Sequence, residues 1–316
     1  MLATTRELVW PNRSGAHRPR GAAAPRSSGL VGRDALVWRI RVLVTEGGKP
    51  VCLSGPAGSG SAAIAASVAD ALSRQTRVLA LQCGRETSFM RLTEILAEGL
   101  DGKDVAGTVA IVLTEVGTVA EPGFLRALAH LAAAMPQFGW LIASAPESVA
   151  GAQAVPIPLL SEAETAAALE AAVARHAAAI SKVGGIAAAT LCRGLPGLAD
   201  RLVAEAWAAV GRAGDDAIGL PHLRTAARAL VGPEVATDAP PLLRAAARTP
   251  VDPDGTFPRS ALAIALERAG EAADRGLAPE RDPALVAAGR GRLRFADDAA
   301  AARLLLSEFG WTFHRG

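Results

Sequence analysis

At 316 residues the chain has room for about two domains, each with its own core. Half of it is hydrophobic but only 4% is aromatic and tyrosine is absent, so the core must be built from Ala, Leu, Val and Ile, a composition suited to helices packed on a sheet. The net charge of +2 says little about nucleic acid, and three cysteines without CxxC spacing argue against a disulfide framework and for small buried thiols in a reducing cytoplasm. His17, His130, His176, His222 and His314 are scattered without metal-ligand spacing, so no metal site is predicted.

Residues 1–28 combine Pro, Gly, Ser and Ala with Arg6, Arg13, Arg18, Arg20 and Arg26 against the single acid Glu7. They lack the apolar stretch of a secretory signal, and no later run reaches the length of a membrane span, so the chain is expected in the cytoplasm and not at a membrane. A disordered tail is the expectation here, with a nucleic-acid-binding or partner-binding arm as the alternative.

From Gly29 to Pro158 short β-like runs alternate with helical ones. Strands are predicted at Val51–Ser54, Arg77–Gln82, Thr108–Leu113, Trp140–Ala143 and Val155–Ile157, and helices at Ser61–Arg74, Phe89–Leu100 and Phe124–Met135. That order predicts an α/β fold, a parallel sheet with helices on both faces. Ligands of such sheets bind beyond the carboxyl ends of the strands, where Gly55–Ser61, Glu115 and Ser144 would converge.

The stretch Pro50–Asp70, PVCLSGPAGSGSAAIAASVAD, sets Gly55-Pro-Ala-Gly-Ser-Gly60 between a strand and a helix, the order a phosphate-binding loop requires. In a working loop the backbone N–H groups curl round the phosphates, a lysine reaches the terminal phosphate, and the next Ser/Thr hydroxyl holds Mg²⁺. Here Ser61 stands in the lysine position and Ala62 in the hydroxyl position. Downstream, Thr108–Glu115 has the outline of the acidic strand of such sites, but Thr114 replaces the Mg²⁺-associated aspartate. Glu115 is left as the lone candidate catalytic acid, with a core-edge role as its alternative. The scaffold is therefore expected without its chemistry: backbone amides leave room for weak ATP or ADP binding, and hydrolysis is not expected.

Ser161-x-x-Glu164 is a capping box that opens a helix over Ser161–His176. Helical periods continue at Ile186–Cys192 and Gly197–Val210, separated by Gly194-Leu-Pro196, and at Pro221–Leu230, before a Pro-rich joint at Pro233–Pro241. In the last block, helical runs at Leu242–Arg248 and Arg259–Ala273 precede Asp282–Ala288; Gly289–Phe295 then gives a tight turn and a strand, and Ala299–Phe309 a closing helix. Arg290, Arg292 and Arg294 alternate and share one strand face, either as phosphate contacts in nucleic acid or as a solvated face.

Several segments carry a family resemblance in chain order. Leu30-Val-Gly-Arg-Asp34 resembles the "VGR(E/D)" segment that opens the nucleotide-binding domain of STAND and AAA+ proteins. Gly139–Pro146 is similar to their sensor strand, with Ala145 in place of the arginine; Val155–Ser161 with Glu164 resembles their strand-to-helix step, and Cys192–Leu198 their "G-x-P-L" segment. Over roughly residues 29–310 the chain resembles the P-loop NTPase module of LuxR-type and AfsR-type STAND regulators, with degenerate Walker A and Walker B motifs.

The resemblance implies a P-loop NTPase-like α/β domain over 29–158, a helical lid over 159–232 and a winged-helix domain over 241–316. It implies a nucleotide site of Val31, Gly32 and Arg33 at the adenine, Gly55, Gly58, Ser59, Gly60, Ser61 and Ala62 at the phosphates, and Ser144 and Pro196 beside them. The function expected is that of a catalytically degenerate regulatory or scaffolding protein acting through a protein partner. The alternatives are an ATP or ADP sensor without turnover and a DNA-binding transcriptional regulator. The sequence specifies neither the partner nor the oligomeric state.

Overall fold

β3, Val109–Thr114, is an almost unbroken apolar run, and its first five residues are buried, as befits a strand covered on both faces. It lies inside a five-stranded sheet of order β2-β3-β4-β1-β5, with β1 at Val51–Ser54, β2 at Arg77–Gln82, β4 at Gly139–Ile142 and β5 at Gln153–Pro156. Every pairing is parallel, with Leu79 opposite Ile111, Val112 opposite Leu141 and Leu53 opposite Val155. The sheet is that of a computed structural model, which describes residues 30–46, 48–100, 109–143, 149–231, 239–268, 282–289 and 291–311. Ser144, Arg290 and the tail predicted over 1–28 lie outside the described residues.

Residues 32–55 and 60–157 pack as one unit. Helices α1 (Asp34–Glu46), α2 (Ser61–Leu72), α3 (Phe89–Leu100) and α4 (Phe124–Ala134) accompany its sheet. Ile111, Leu113, Trp140 and Ile142 from the strands meet Leu92, Leu96, Phe124 and Leu128 from the helices in a single core. α1 comes so close to β4 that a Cβ on Gly139 would stand 2.4 Å from the Val44 carbonyl oxygen.

Residues 30–31, 56–59 and 158–311 form the second unit. It contains α5 (Glu162–Arg175), α6 (Lys182–Cys192), α7 (Pro196–Ala213), α8 (Leu220–Val231) and α9 (Pro241–Arg248), then β6 (Thr256–Pro258), α10 (Arg259–Arg268), β7 (Leu285–Ala287), β8 (Arg292–Phe295) and α11 (Asp298–Trp311). One core runs from Leu169, Leu202 and Leu223 on the first helices to Leu242, Phe257, Leu293 and Leu305 farther along the chain. The last three strands form an antiparallel sheet of order β6-β8-β7. α11 returns onto α8, where Arg228 Nε donates to the Gly310 carbonyl at 2.6 Å.

The predicted strands of the first sheet are all present, shifted by a residue or two at their ends. α5 opens on the predicted capping box: Ser161 Oγ accepts from the Glu164 N–H at 3.3 Å, and Glu164 Oε2 from the Ser161 N–H at 2.8 Å. Three elements differ from expectation. α6 starts at Lys182 rather than Ile186, because Ser181 Oγ caps it at the Gly184 N–H, 3.1 Å away. β6 has no forerunner in the sequence reading, and β7 falls within Asp282–Ala288, ahead of the predicted turn and strand. Among the described residues no helix is long and apolar enough to cross a membrane.

Candidate functional site

At the carboxyl edge of the first sheet, β1 runs out at Ser54 and the chain passes through Gly55–Gly60 into α2. Gly58 at φ +87° and Gly60 at φ +90° take the left-handed conformation that side chains resist, which is the physical reason for glycine at both. Gly60 is the N-cap of α2, and no side chain caps the helix. The first turn of an α-helix points N–H groups outward with the helix dipole behind them, the arrangement in which helices hold anions. Ser61 and Ala62 are its first two residues, and neither carries a charge. Ser59 is 1% exposed, and its Oγ has no hydrogen-bond partner among the described residues.

Pro56–Ser59 packs within the second unit against the turn that opens α7. The Gly197 N–H donates to the Gly58 carbonyl at 2.9 Å. A Cβ at position 197 would sit 3.1 Å from both Cα and O of Gly58, a tight contact that glycine avoids. Pro196 is buried at the first position of α7.

Beyond β3, Glu115 takes φ +56° and leads into a single 3-10 turn, Val116–Thr118. Its carboxylate accepts from Gln82 Nε2 at 2.9 Å, and its carbonyl from Thr118 Oγ1 at 2.7 Å. The acid is thus held toward β2, and the thiol of Cys83 beside it is pushed up to about 11, first by burial and then by the charge of Glu115. Glu115 follows β3 and Gly55 follows β1, and β4 lies between those two strands. Thr114, half-buried at the end of β3, brings no carboxylate to the position before Glu115.

The remaining predicted residues fall into two groups. Val31 is half-buried, Gly32 is left-handed at φ +68°, and Arg33 is buried where α1 begins, its carbonyl accepting from the Val37 N–H at 2.8 Å. On β8, Leu293 and Phe295 point inward while Arg292 and Arg294 share the other face. Arg292 is paired with Asp252 and donates from Nε to Thr256 Oγ1 at 2.7 Å, whereas Arg294 is exposed.

Two features escaped the sequence reading. A cavity of about 420 Å³ in the first unit is lined by Val116, Val119, Glu121, Phe124, Arg126 and Val149. In the second unit Arg193 ends α6 at φ +46°, is 7% exposed, and donates from Nη1 to the carbonyls of Ala247 and Thr249. Its guanidinium lies 5.4 Å from the ring centre of Phe295, and burial pulls its pKa down to about 10 despite the opposing charge of Asp298. No sequence signal announces a buried arginine whose partners lie more than fifty residues away. Among the described residues no cluster of His, Cys, Asp or Glu is disposed to hold a metal ion.

No protein-family model matches the chain, and no curated protein matches its sequence. Solved structures do match. Cdc6p from Pyrobaculum aerophilum aligns over 89% of this chain and 95% of its own, at 13% identity and a TM-score of 0.51. The fold is that of the AAA+ P-loop NTPases. The Thermotoga maritima RuvB Holliday junction branch migration motor aligns over 83% of this chain and 92% of its own, at 16% identity and a TM-score of 0.46. At 13% identity the likeness to Cdc6p is one of fold. Within this AAA+ fold, the glycine loop and Glu115 occupy the carboxyl edge of the parallel sheet, where open α/β sheets bind their ligands.

Proposed function

We propose that the chain is a catalytically degenerate AAA+ module of the STAND type, a pseudo-ATPase that acts as a regulatory or scaffolding protein through a protein partner in the bacterial cytoplasm. The observation that carries this reading is the opening of α2 on Ser61 and Ala62 beneath an otherwise loop-shaped Gly55–Gly60. Phosphoryl transfer is positioning and charge neutralisation by lysine, metal and arginine. A serine and an alanine in the first turn supply neither the cation nor the Mg²⁺-binding hydroxyl, and Thr114 removes the second metal contact. Glu115 remains, hydrogen-bonded to Gln82.

Residues 241–316 are proposed as a winged helix: α9, β6, α10, β7, a turn through Gly289 and Gly291, and β8 follow one another in the order of that domain. The commitment of Arg292 to Asp252 and Thr256 favours a strand face used within the fold over one laid on nucleic acid. A second reading, an ATP or ADP sensor without turnover, is favoured by the uncapped α2 N-terminus and the unpartnered Ser59 Oγ. Its phosphates would be held in the first unit by Gly55, Gly60, Ser61 and Ala62.

Measuring ADP release from ATP and Mg²⁺ by the purified full chain tests the reading. No release above the buffer rate is expected, from the wild type and from Glu115→Gln alike. Turnover by the wild type that Glu115→Gln abolishes would overturn it.

A further inference from the structure

We infer that the Pro56–Ser59 loop is the socket of an internal latch: the Arg193–Gly197 turn seats in it, and Arg193 ties that turn to the C-terminal part of the same unit. The inference rests on the pseudo-ATPase reading, since it gives the glycine loop a mechanical role in place of a catalytic one.

Three observations join end to end. At the socket, the Gly197 N–H donates to the Gly58 carbonyl, and the backbones lie so close that a Cβ at position 197 would press on Gly58 at 3.1 Å. In the middle, Gly194 is left-handed at φ +74°, its carbonyl accepts from the Leu160 N–H at 2.9 Å, and a Cβ on it would stand 2.6 Å from the Leu160 oxygen. The turn is therefore fixed against the chain at both Gly194 and Gly197 and moves as a body. At the far end, Arg193 places its guanidinium on the carbonyls of Ala247, in the last turn of α9, and of Thr249, its C-cap, and over Phe295 of β8.

Arg193 is also the reason to read the joint as one that opens. Its Nε and Nη2 are buried with no partner among the described residues, and so is Oδ1 of Asp298, whose charge acts on it. A fully satisfied buried network welds two parts together, whereas a half-satisfied one leaves a standing desolvation penalty that separation relieves. A change in Pro56–Ser59 that displaces the Gly58 carbonyl breaks its hydrogen bond with the Gly197 N–H. The rigid turn then carries that change to Arg193 and so to α9 and β8. Loop and C-terminal block share one equilibrium.

Hydrogen exchange on the full chain, followed without nucleotide, tests the latch. Gly58→Ala strains the loop through its positive φ while leaving room for the methyl group, whose closest neighbour is 3.8 Å away. The latch predicts about tenfold faster exchange in α9 and β8 of this variant, with α5 and α8 unchanged, and no such transmission when Arg193→Met is added. Should Gly58→Ala not fold, Gly197→Ala perturbs the same contact from the other side. Changes confined to the loop and the start of α7, or a uniform rise from α5 to α8, would overturn the inference. ATP turnover is scored separately: it would sink the pseudo-ATPase reading while leaving the exchange pattern to judge the latch.

Discussion

Buried Arg193 and half-buried Asp298 show how a pair of ionic groups divides its effects. Burial holds the Asp298 carboxyl above its ordinary 3.8 despite the opposing pull of Arg193, with Asp297 adding to the rise and Arg294 opposing it. A raised carboxyl pKa means that the folded chain takes up the proton before the unfolded one. Asp298 thus subtracts stability at neutral pH, and the penalty fades as pH falls through its raised value toward 3.8. Asp298→Asn is expected to melt at or above the wild-type temperature at pH 7, with the advantage lost in acid. An Asn variant weaker than wild type at pH 7 and equal to it in acid would contradict this. The thiols give a second test at this scale: Cys52, Cys83 and Cys192 are buried, and burial pushes Cys83 up to about 11 and Cys192 to about 12. None should react with iodoacetamide at pH 8 until the chain is unfolded, because only the thiolate attacks. The departures from a phosphate-loop pattern that the proposal rests on, at Ser61, Ala62 and Thr114, are local and visible in the sequence residue by residue. Arg193 is not, because its burial is made by Ala247, Thr249 and Phe295 from distant elements.

Elements announced themselves where their signals were local. α5 was readable from Ser161 and Glu164 alone, and the five parallel strands from apolar runs set between helical ones. Removing the cap with Ser161→Ala is expected to lower stability by about 1 kcal/mol in urea melts, and no loss at all would deny the cap its role. β6 and β7 are three residues each, and β6 ends in Pro258, so neither offers an alternation long enough to read. α6 was read short because Gly184 and Gly185 look like a break. In the fold a Cβ on Gly184 would lie 2.9 Å from the Ile218 carbonyl, so that glycine serves packing rather than a turn. Packing between α1 and β4 makes a sharper prediction. Gly139→Ala drives a methyl group into the Val44 backbone and should destabilise the chain by about 3 kcal/mol, against near-neutrality for Gly211→Ala, where a Cβ meets nothing within 4 Å.

At the scale of the molecule, the AAA+ fold and the proposed loss of phosphate chemistry are separate properties, and they have separate causes. The fold follows from apolar strands, the glycines of a strand-to-helix turn and an alanine- and leucine-rich set of helices, all of which the chain retains. The chemistry depends on a few charged side chains at the edge of such a scaffold, and in the proposed pseudo-ATPase Ser61, Ala62 and Thr114 stand in their place. Restoring two of them should therefore restore binding without rebuilding anything else. The measurement that decides this is a calorimetric titration of ATP and ADP, with Mg²⁺, into the wild type and into the Ser61→Lys, Ala62→Thr double variant. The account predicts weak or no heat of binding for the wild type and clear saturable binding for the double variant. Tight, hydrolysed ATP in the wild type, or a double variant that folds and still ignores nucleotide, would contradict it.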